Sequence, residues 1–242
     1  MTDLPRYAVP PVGPWQDATV AGIRDETPRV KTFTLQLAQP TPHVAGQHFV
    51  VRLTAPDGYT AQRSYSIASA PGDGSSIDLT VERLPDGEVS TYLHDELQAG
   101  DTLEVRGPIG GWFVWDGSTP ALLIGGGSGV VPLMSMLRLA RRQPRQSLAH
   151  LLLSVREPSD LIYAGELVGD DATVLYTRES APGSQRAPGR LTLDDLTRHG
   201  RDDDTTVYVC GSAGFAAAAT DLVTQAGFDT RQIRVERFGP TG

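Results

Sequence analysis

The chain has 242 residues, 39% apolar, 21% charged and 7% aromatic, which excludes a disordered or fibrous protein and suits two domains of common size. Its formal charge of −8 argues against nucleic-acid binding, which draws affinity from Lys and Arg on phosphates. The lone cysteine, Cys210, excludes an internal disulfide and a self-contained four-thiolate iron–sulfur cluster, so any such centre is expected on another chain.

No apolar run approaches the roughly 20 residues that cross a bilayer. The start, with Pro5, Pro10, Pro11 and Pro14, lacks the basic-then-apolar order of a signal peptide. The expectation is a cytoplasmic protein with no membrane insertion. Residues 1–115 hold 8 basic and 14 acidic side chains, against 13 and 15 in residues 116–242. Every basic residue except Lys31 is arginine, the side chain that suits bidentate phosphate recognition.

In chain order, strands are predicted at Val30 to Leu37, Gln47 to Leu53, Tyr59 to Ser69, Ser76 to Leu84 and Asp101 to Arg106, separated by Gly, Pro and Asp. Short strands with turn signals predict a small antiparallel barrel. Val89, Tyr92/Leu93 and Leu97 keep helical spacing before Gly100, which predicts one helix that plugs or caps the barrel. From about residue 116 the rhythm changes. Apolar strands at Ala121 to Ile124, Leu148 to Val155, Thr173 to Tyr176, Val207 to Cys210 and Ile233 to Val235 alternate with helical segments at Pro132 to Arg142, Leu161 to Val168, Leu191 to His199 and Phe215 to Gln225. The second half is therefore expected to be a doubly wound parallel sheet. The domain boundary is placed between residues 115 and 116, with 1–115 and 116–242 as the two domains.

Gly125-Gly126-Gly127-Ser128-Gly129-Val130-Val131-Pro132 follows an apolar strand and opens an amphipathic helix. Glycines there let backbone amides approach a pyrophosphate, and a helix N-terminus adds about half a positive charge. The stretch departs from the dinucleotide fingerprint, the P-loop and the nucleophile elbow, so tight packing stands beside phosphate binding as an explanation. Arg156, Arg178 and Arg190 follow strands at the edge where such sheets bind ligands. Arginines there suit a 2′-phosphate and favour NADPH over NADH. Arg138, Arg141, Arg142 and Arg145 sit late in a helix, where their charge complements the macrodipole; a docking patch for an acidic partner is a second reading. The five histidines (His43, His48, His94, His150, His199) show no metal-ligand spacing, and no metal site is expected.

Arg63-Ser64-Tyr65-Ser66, a later Gly-rich turn ending in Pro132, then Cys210-Gly211, then Glu236-Arg237-Phe238-Gly239 together resemble the ferredoxin-NADP reductase family. The resemblance runs from about residue 15 to the end. It implies a Greek-key FAD-binding barrel (residues 1–115) followed by an NADP(H)-binding α/β domain (residues 116–242), without a fused ferredoxin domain; FMN remains open as the flavin. By the same resemblance, Arg63 pairs with the flavin phosphates, Tyr65 packs on the isoalloxazine and Ser66 hydrogen-bonds near flavin N5, with Ser64 and Val81 beside them. Gly87-Glu88-Val89-Ser90 resembles a second flavin-phosphate loop, and Gly107-Pro108-Ile109-Gly110 the turn that closes the barrel.

In the second domain, Gly126, Gly127, Ser128, Gly129 and Pro132 would cradle the nucleotide pyrophosphate. Arg156 lies in a segment resembling R-x-x-x-D-L-x-Y, and Arg178 with Arg190 resembles the pair that grips a 2′-phosphate. Cys210 and Gly211 would line the nicotinamide pocket, with Glu236 and Phe238 by the flavin. Unlike plant-type members, which end in an aromatic residue, this chain continues past Phe238 to Gly242. Ser66, Cys210 and Glu236 are the expected catalytic residues. The implied activity is hydride transfer from NADPH to FAD and electron delivery to a separate ferredoxin, flavodoxin or oxidoreductase subunit. A free-flavin or quinone reductase and a flavin-binding sensing subunit stay open as alternatives.

Overall fold

The computed structural model describes residues 12–144, 148–179, 186–198 and 203–239. Pro5, Pro10, Pro11, Arg145, His199 and the final Pro240 to Gly242, all used in the sequence reading, lie outside the described residues. The chain divides into two compact units, Met1–Asp116 and Gly117–Gly242.

In the first unit β1 (Gln16–Thr27), β2 (Val30–Leu37), β3 (His48–Thr54), β4 (Thr60–Ser66), β5 (Ser76–Glu82) and β6 (Thr102–Ile109) form one sheet in the order β4-β3-β6-β1-β2-β5. Every pairing is antiparallel. Just beyond β4, Ile67 bridges Leu79 of β5 and the Ala68 N–H donates to the Asp78 carbonyl at 2.8 Å. The two edge strands therefore meet and the sheet closes as a barrel, which removes the exposed edges. Strand β1 escapes the sequence patterns. Only Ala18 and Val20 of its residues are buried, and a register shift falls between Val20 and Gly22, so the alternation that announces a strand is missing.

Phe33, Leu35, Phe49, Val51, Ile77, Leu79 and Val105 fill the barrel. Helix α1 (Glu88–Asp95) adds Val89 and Leu93, and the following turn adds Leu97, to the same core; each such burial contributes roughly 1.5–3 kcal/mol. Two polar contacts fasten the plug: Lys31 Nζ donates to the His94 carbonyl at 2.9 Å, and His94 Nε2 donates to the Val81 carbonyl at 2.9 Å. The helix stops at Asp95, short of Gly100, which serves a later turn at φ 96°.

In the second unit β7 (Ala121–Gly126), β8 (Ala149–Val155), β9 (Ala172–Tyr176), β10 (Thr206–Ser212) and β11 (Ile233–Phe238) form a parallel sheet in the order β11-β10-β7-β8-β9. Helices α2 (Val130–Arg142), α3 (Leu193–Thr197) and α4 (Ala213–Gln225) connect the strands. Strand β7 is buried along five consecutive residues, as expected of a strand covered on both faces. The order reverses between β7 and β10, and at such a switch point the chain leaves a crevice beyond the carboxyl ends of the strands.

One expectation fails here. Leu161 to Val168 is not a helix: Pro158–Asp160 forms a single 3₁₀ turn, and Tyr163 then takes φ 61°, a left-handed value that breaks a right-handed helix. Two of the α2 arginines are engaged within their own unit. Arg138 pairs with Glu166 and lies 4.8 Å over the Tyr163 ring, while Arg141 pairs with Asp171 at 2.7 Å. Both guanidiniums are tied to their own unit. No helix among the described residues is long and apolar enough to cross a membrane.

Candidate functional site

Strand β4 carries the Arg63 to Ser66 segment. Arg63 and Ser64 are exposed, and the Arg63 guanidinium makes one hydrogen bond, to the Gln62 carbonyl at 2.7 Å. Tyr65 packs against the barrel core, and burial pushes its hydroxyl pKa up against the opposing charge of Arg63. Ser66 is buried, yet its hydroxyl has no hydrogen bond to any described residue. It sits opposite His48 in the β3–β4 register, and burial lowers the His48 pKa.

The Gly87 loop is built more tightly than its sequence suggests. A Cβ on Gly87 would lie 2.3 Å from Ser90 Oγ. The Ser90 hydroxyl donates to the Gly87 carbonyl at 3.1 Å and accepts the Leu84 N–H at 3.2 Å, so it closes the loop upon itself. No side chain among the described residues caps α1, which leaves its first-turn amides as the donors a phosphate would meet. The side chains of Val81 and Val89 are 1% exposed and belong to the barrel core; through their side chains neither faces a ligand. A separate groove of about 580 Å³ is bordered by Arg52, Tyr59, Glu88, Tyr92 and Glu104; of the expected flavin-phosphate loop it touches only Glu88.

In the second unit the two glycine turns at the switch point meet back to back. A Cβ on Gly129 would lie 2.3 Å from the Cys210 carbonyl oxygen, so only glycine lets the β7–α2 turn and the end of β10 come this close. Gly127 has φ 56° with nothing within 4 Å of an added Cβ, and this open side exposes the turn's backbone. Ser128 is half-buried between them. Helix α2 starts at Val130 without a side-chain cap, and Pro132 falls in its first turn, where a missing N–H is harmless. Gly126 and Gly211 both abut the Phe215 ring, at 2.6 and 2.7 Å from their hypothetical Cβ atoms. Phe215 is thus part of the cradle, although its sequence reads only as the first apolar residue of a helix. The cradle bars side chains at Gly126, Gly129 and Gly211 and leaves bare backbone open at Gly127, which fits a pyrophosphate.

Cys210 is fully buried, and burial, then the nearby Glu236 charge, hold its thiol pKa well above the ordinary value. Glu236 is its register partner on β11, and burial pushes that carboxyl up to about 7. Phe238 ends β11 half-buried, opposite Ser212.

The three expected arginines come together through their backbones. The Arg178 N–H donates to the Arg156 carbonyl at 2.9 Å, and the Gly189 N–H donates to the Tyr176 carbonyl at 3.0 Å. All three are exposed and none has an ion pair among the described residues, which leaves three guanidiniums for an anion.

The match to known proteins follows the same division. Residues 17–114 match the oxidoreductase FAD-binding domain model, and residues 123–221 match the oxidoreductase NAD-binding domain model. A glycine betaine monooxygenase reductase subunit from Chromohalobacter salexigens is 31% identical over 89% of this chain, which spans 62% of that relative's length. The ferredoxin--NAD(P)(+) reductase component of the naphthalene 1,2-dioxygenase/salicylate 5-hydroxylase systems of a Ralstonia species is 30% identical, over 93% of this chain and 69% of the relative. Among solved structures, the flavohem-like FAD/NAD-binding domain of nitric oxide dioxygenase from Vibrio cholerae aligns with a TM-score of 0.82 at 25% identity, over 93% of this chain and 99% of that one. A closed antiparallel barrel ahead of a five-stranded nucleotide sheet, each matched by its own model and both by relatives of the same order, means that the chain belongs to the ferredoxin-NADP reductase family of FAD- and NAD(P)-binding oxidoreductases.

Proposed function

We propose that this chain takes reducing equivalents from NADPH and delivers them to a separate redox partner, a ferredoxin, a flavodoxin or an oxidoreductase subunit. The FAD held by the family's barrel supplies the chemistry that converts a two-electron hydride donor into a source of single electrons. Relatives named as reductase components of oxygenase systems support such a partner. The 242 residues hold one cysteine, so a four-thiolate iron–sulfur acceptor lies outside them.

The chain's own residues bind and orient. Arg63 and the first-turn α1 amides that follow Gly87 take the flavin phosphates, and the Ser66 hydroxyl, unbonded to other described residues, is held ready for the flavin ring. The Gly126 to Gly129 turn takes the nucleotide pyrophosphate, and Cys210 and Gly211 back the nicotinamide. Cys210 acts by shape, since its buried thiol stays protonated. Glu236 changes protonation near neutral pH and can hold or release a proton beside Cys210.

The observation that carries the coenzyme preference is the lacing of Arg156, Arg178 and the Gly189-Arg190 turn at one sheet edge, with no carboxylate partner among the described residues. Anaerobic addition of NADPH, then in parallel NADH, to the purified yellow protein tests the reading by loss of flavin absorbance. Faster bleaching by NADPH is expected. A protein that takes up no flavin, or is bleached equally by both, contradicts it.

A further inference from the structure

The segment from Arg186 to Asp195 carries a hydrogen-bonded device that no binding role has yet used. Arg186 Nε and one terminal nitrogen donate to the two Asp195 oxygens at 3.2 and 2.9 Å. The same nitrogen donates to the Arg190 carbonyl at 3.0 Å, and the other reaches the Gly189 and Ala187 carbonyls at 3.2 and 3.4 Å. Asp195 is 6% exposed and also accepts the Thr192 N–H at 2.9 Å and the Thr192 hydroxyl at 2.7 Å. Burial opposes its charge, but the hydrogen bonds from Arg186 and Thr192 keep its pKa below the ordinary value. One buried carboxylate thus anchors α3 on one side and the Gly189-Arg190 turn on the other. The Gly189 N–H, bonded to the Tyr176 carbonyl at 3.0 Å, ties that turn to the strand end that leads into Arg178.

We propose that Arg186 and Asp195 are positioning residues that hold the Arg190 backbone where its guanidinium meets the 2′-phosphate of the nucleotide, and so set selectivity for the phosphorylated coenzyme. This rests on the reading of Arg190 as a phosphate ligand. The physical reason is preorganisation: Arg190 has a long exposed side chain, and a turn already fastened by five guanidinium hydrogen bonds need not be ordered when the phosphate arrives. The planar fork of Arg186 suits the task, because a lysine cannot span two carboxylate oxygens and three carbonyls.

Calorimetric binding of 2′,5′-ADP and of 5′-AMP to the flavin-loaded full chain tests this. Arg186→Gln is expected to weaken 2′,5′-ADP about tenfold while 5′-AMP changes less than about twofold. Arg186→Lys, which keeps the charge and loses the fork, should give the same selective loss. In an Arg190→Ala background Arg186→Gln should cost nothing further, because it acts through Arg190. Equal weakening of both ligands, wild-type binding by Arg186→Lys, or full additivity with Arg190→Ala each overturns the proposal. If Arg190→Ala weakens 2′,5′-ADP and Arg186→Gln does not, the positioning role alone is wrong; if Arg190→Ala leaves 2′,5′-ADP unchanged, the phosphate assignment itself falls and the proposal with it. Should Arg186→Gln fail to fold, Asp195→Asn breaks the same anchor and carries the same expectations.

Discussion

Cys210 and Glu236 stand opposite one another across the parallel β10–β11 ladder. Burial acts on both: it keeps the thiol protonated, and it raises the carboxyl from an ordinary 4.5 to about 7. A group that binds its proton more tightly in the folded state adds stability below its unfolded pKa, and that stability is lost as pH rises through the folded value. Wild-type stability should therefore carry a component that declines between about pH 4.5 and 7. Denaturant melts at several pH values should show this decline, and Glu236→Gln should flatten it. An unchanged slope in the variant places the titration elsewhere.

Gly129 and Gly127 separate steric need from backbone need within one turn. Gly129→Ala drives a methyl to 2.3 Å from the Cys210 carbonyl and should destabilise by about 1–3 kcal/mol, as overpacking does. Gly127→Ala meets open space but keeps a left-handed φ of 56°, and should cost about 1 kcal/mol. Thermal melts of the two variants should rank them in that order.

Arg178→Ala combined with Arg190→Ala should weaken NADPH far more than NADH, because removal of guanidiniums affects only the ligand that carries the extra phosphate. A tenfold or larger difference in Kd ratio is roughly the loss of one charge-assisted contact. Equal losses for both nucleotides refute the assignment.

Ser66→Ala removes a hydroxyl that bonds to no other described residue. Nothing within the barrel is left unsatisfied by the change, so the fold and the bound flavin should persist while reduction by NADPH slows about 10- to 100-fold. Rapid-mixing absorbance measures the rate, and flavin content after gel filtration measures retention.

Much of the architecture is legible in single stretches of sequence. The Gly125 to Pro132 turn, the arginines after β8 and β9, and the apolar face of α1 each declare themselves within a dozen residues, because local sterics and periodicity need no distant partner. Strand β1 and the turn at Tyr163 do not: the first buries only Ala18 and Val20, and the second depends on a left-handed residue that no propensity assigns to tyrosine. The ion pairs of Arg138 and Arg141 are hidden for a related reason. Their carboxylate partners Glu166 and Asp171 lie beyond the next strand, and charge read along one helix cannot see them.

The sequence by itself determined which candidate donors exist and their order along the chain: a barrel strand with Arg63 to Ser66, a glycine turn, three arginines, then Cys210 and Glu236. Only the tertiary structure decided which of them are available. It tied the Ser90 hydroxyl into its own loop and put Val81 and Val89 in the core. It also pressed Gly129 against Cys210 and anchored the Arg190 turn on Asp195 through Arg186. The physical reason is that a side chain's chemistry belongs to the residue, whereas its burial, its charge state and its unsatisfied hydrogen bonds belong to neighbours brought from far along the chain.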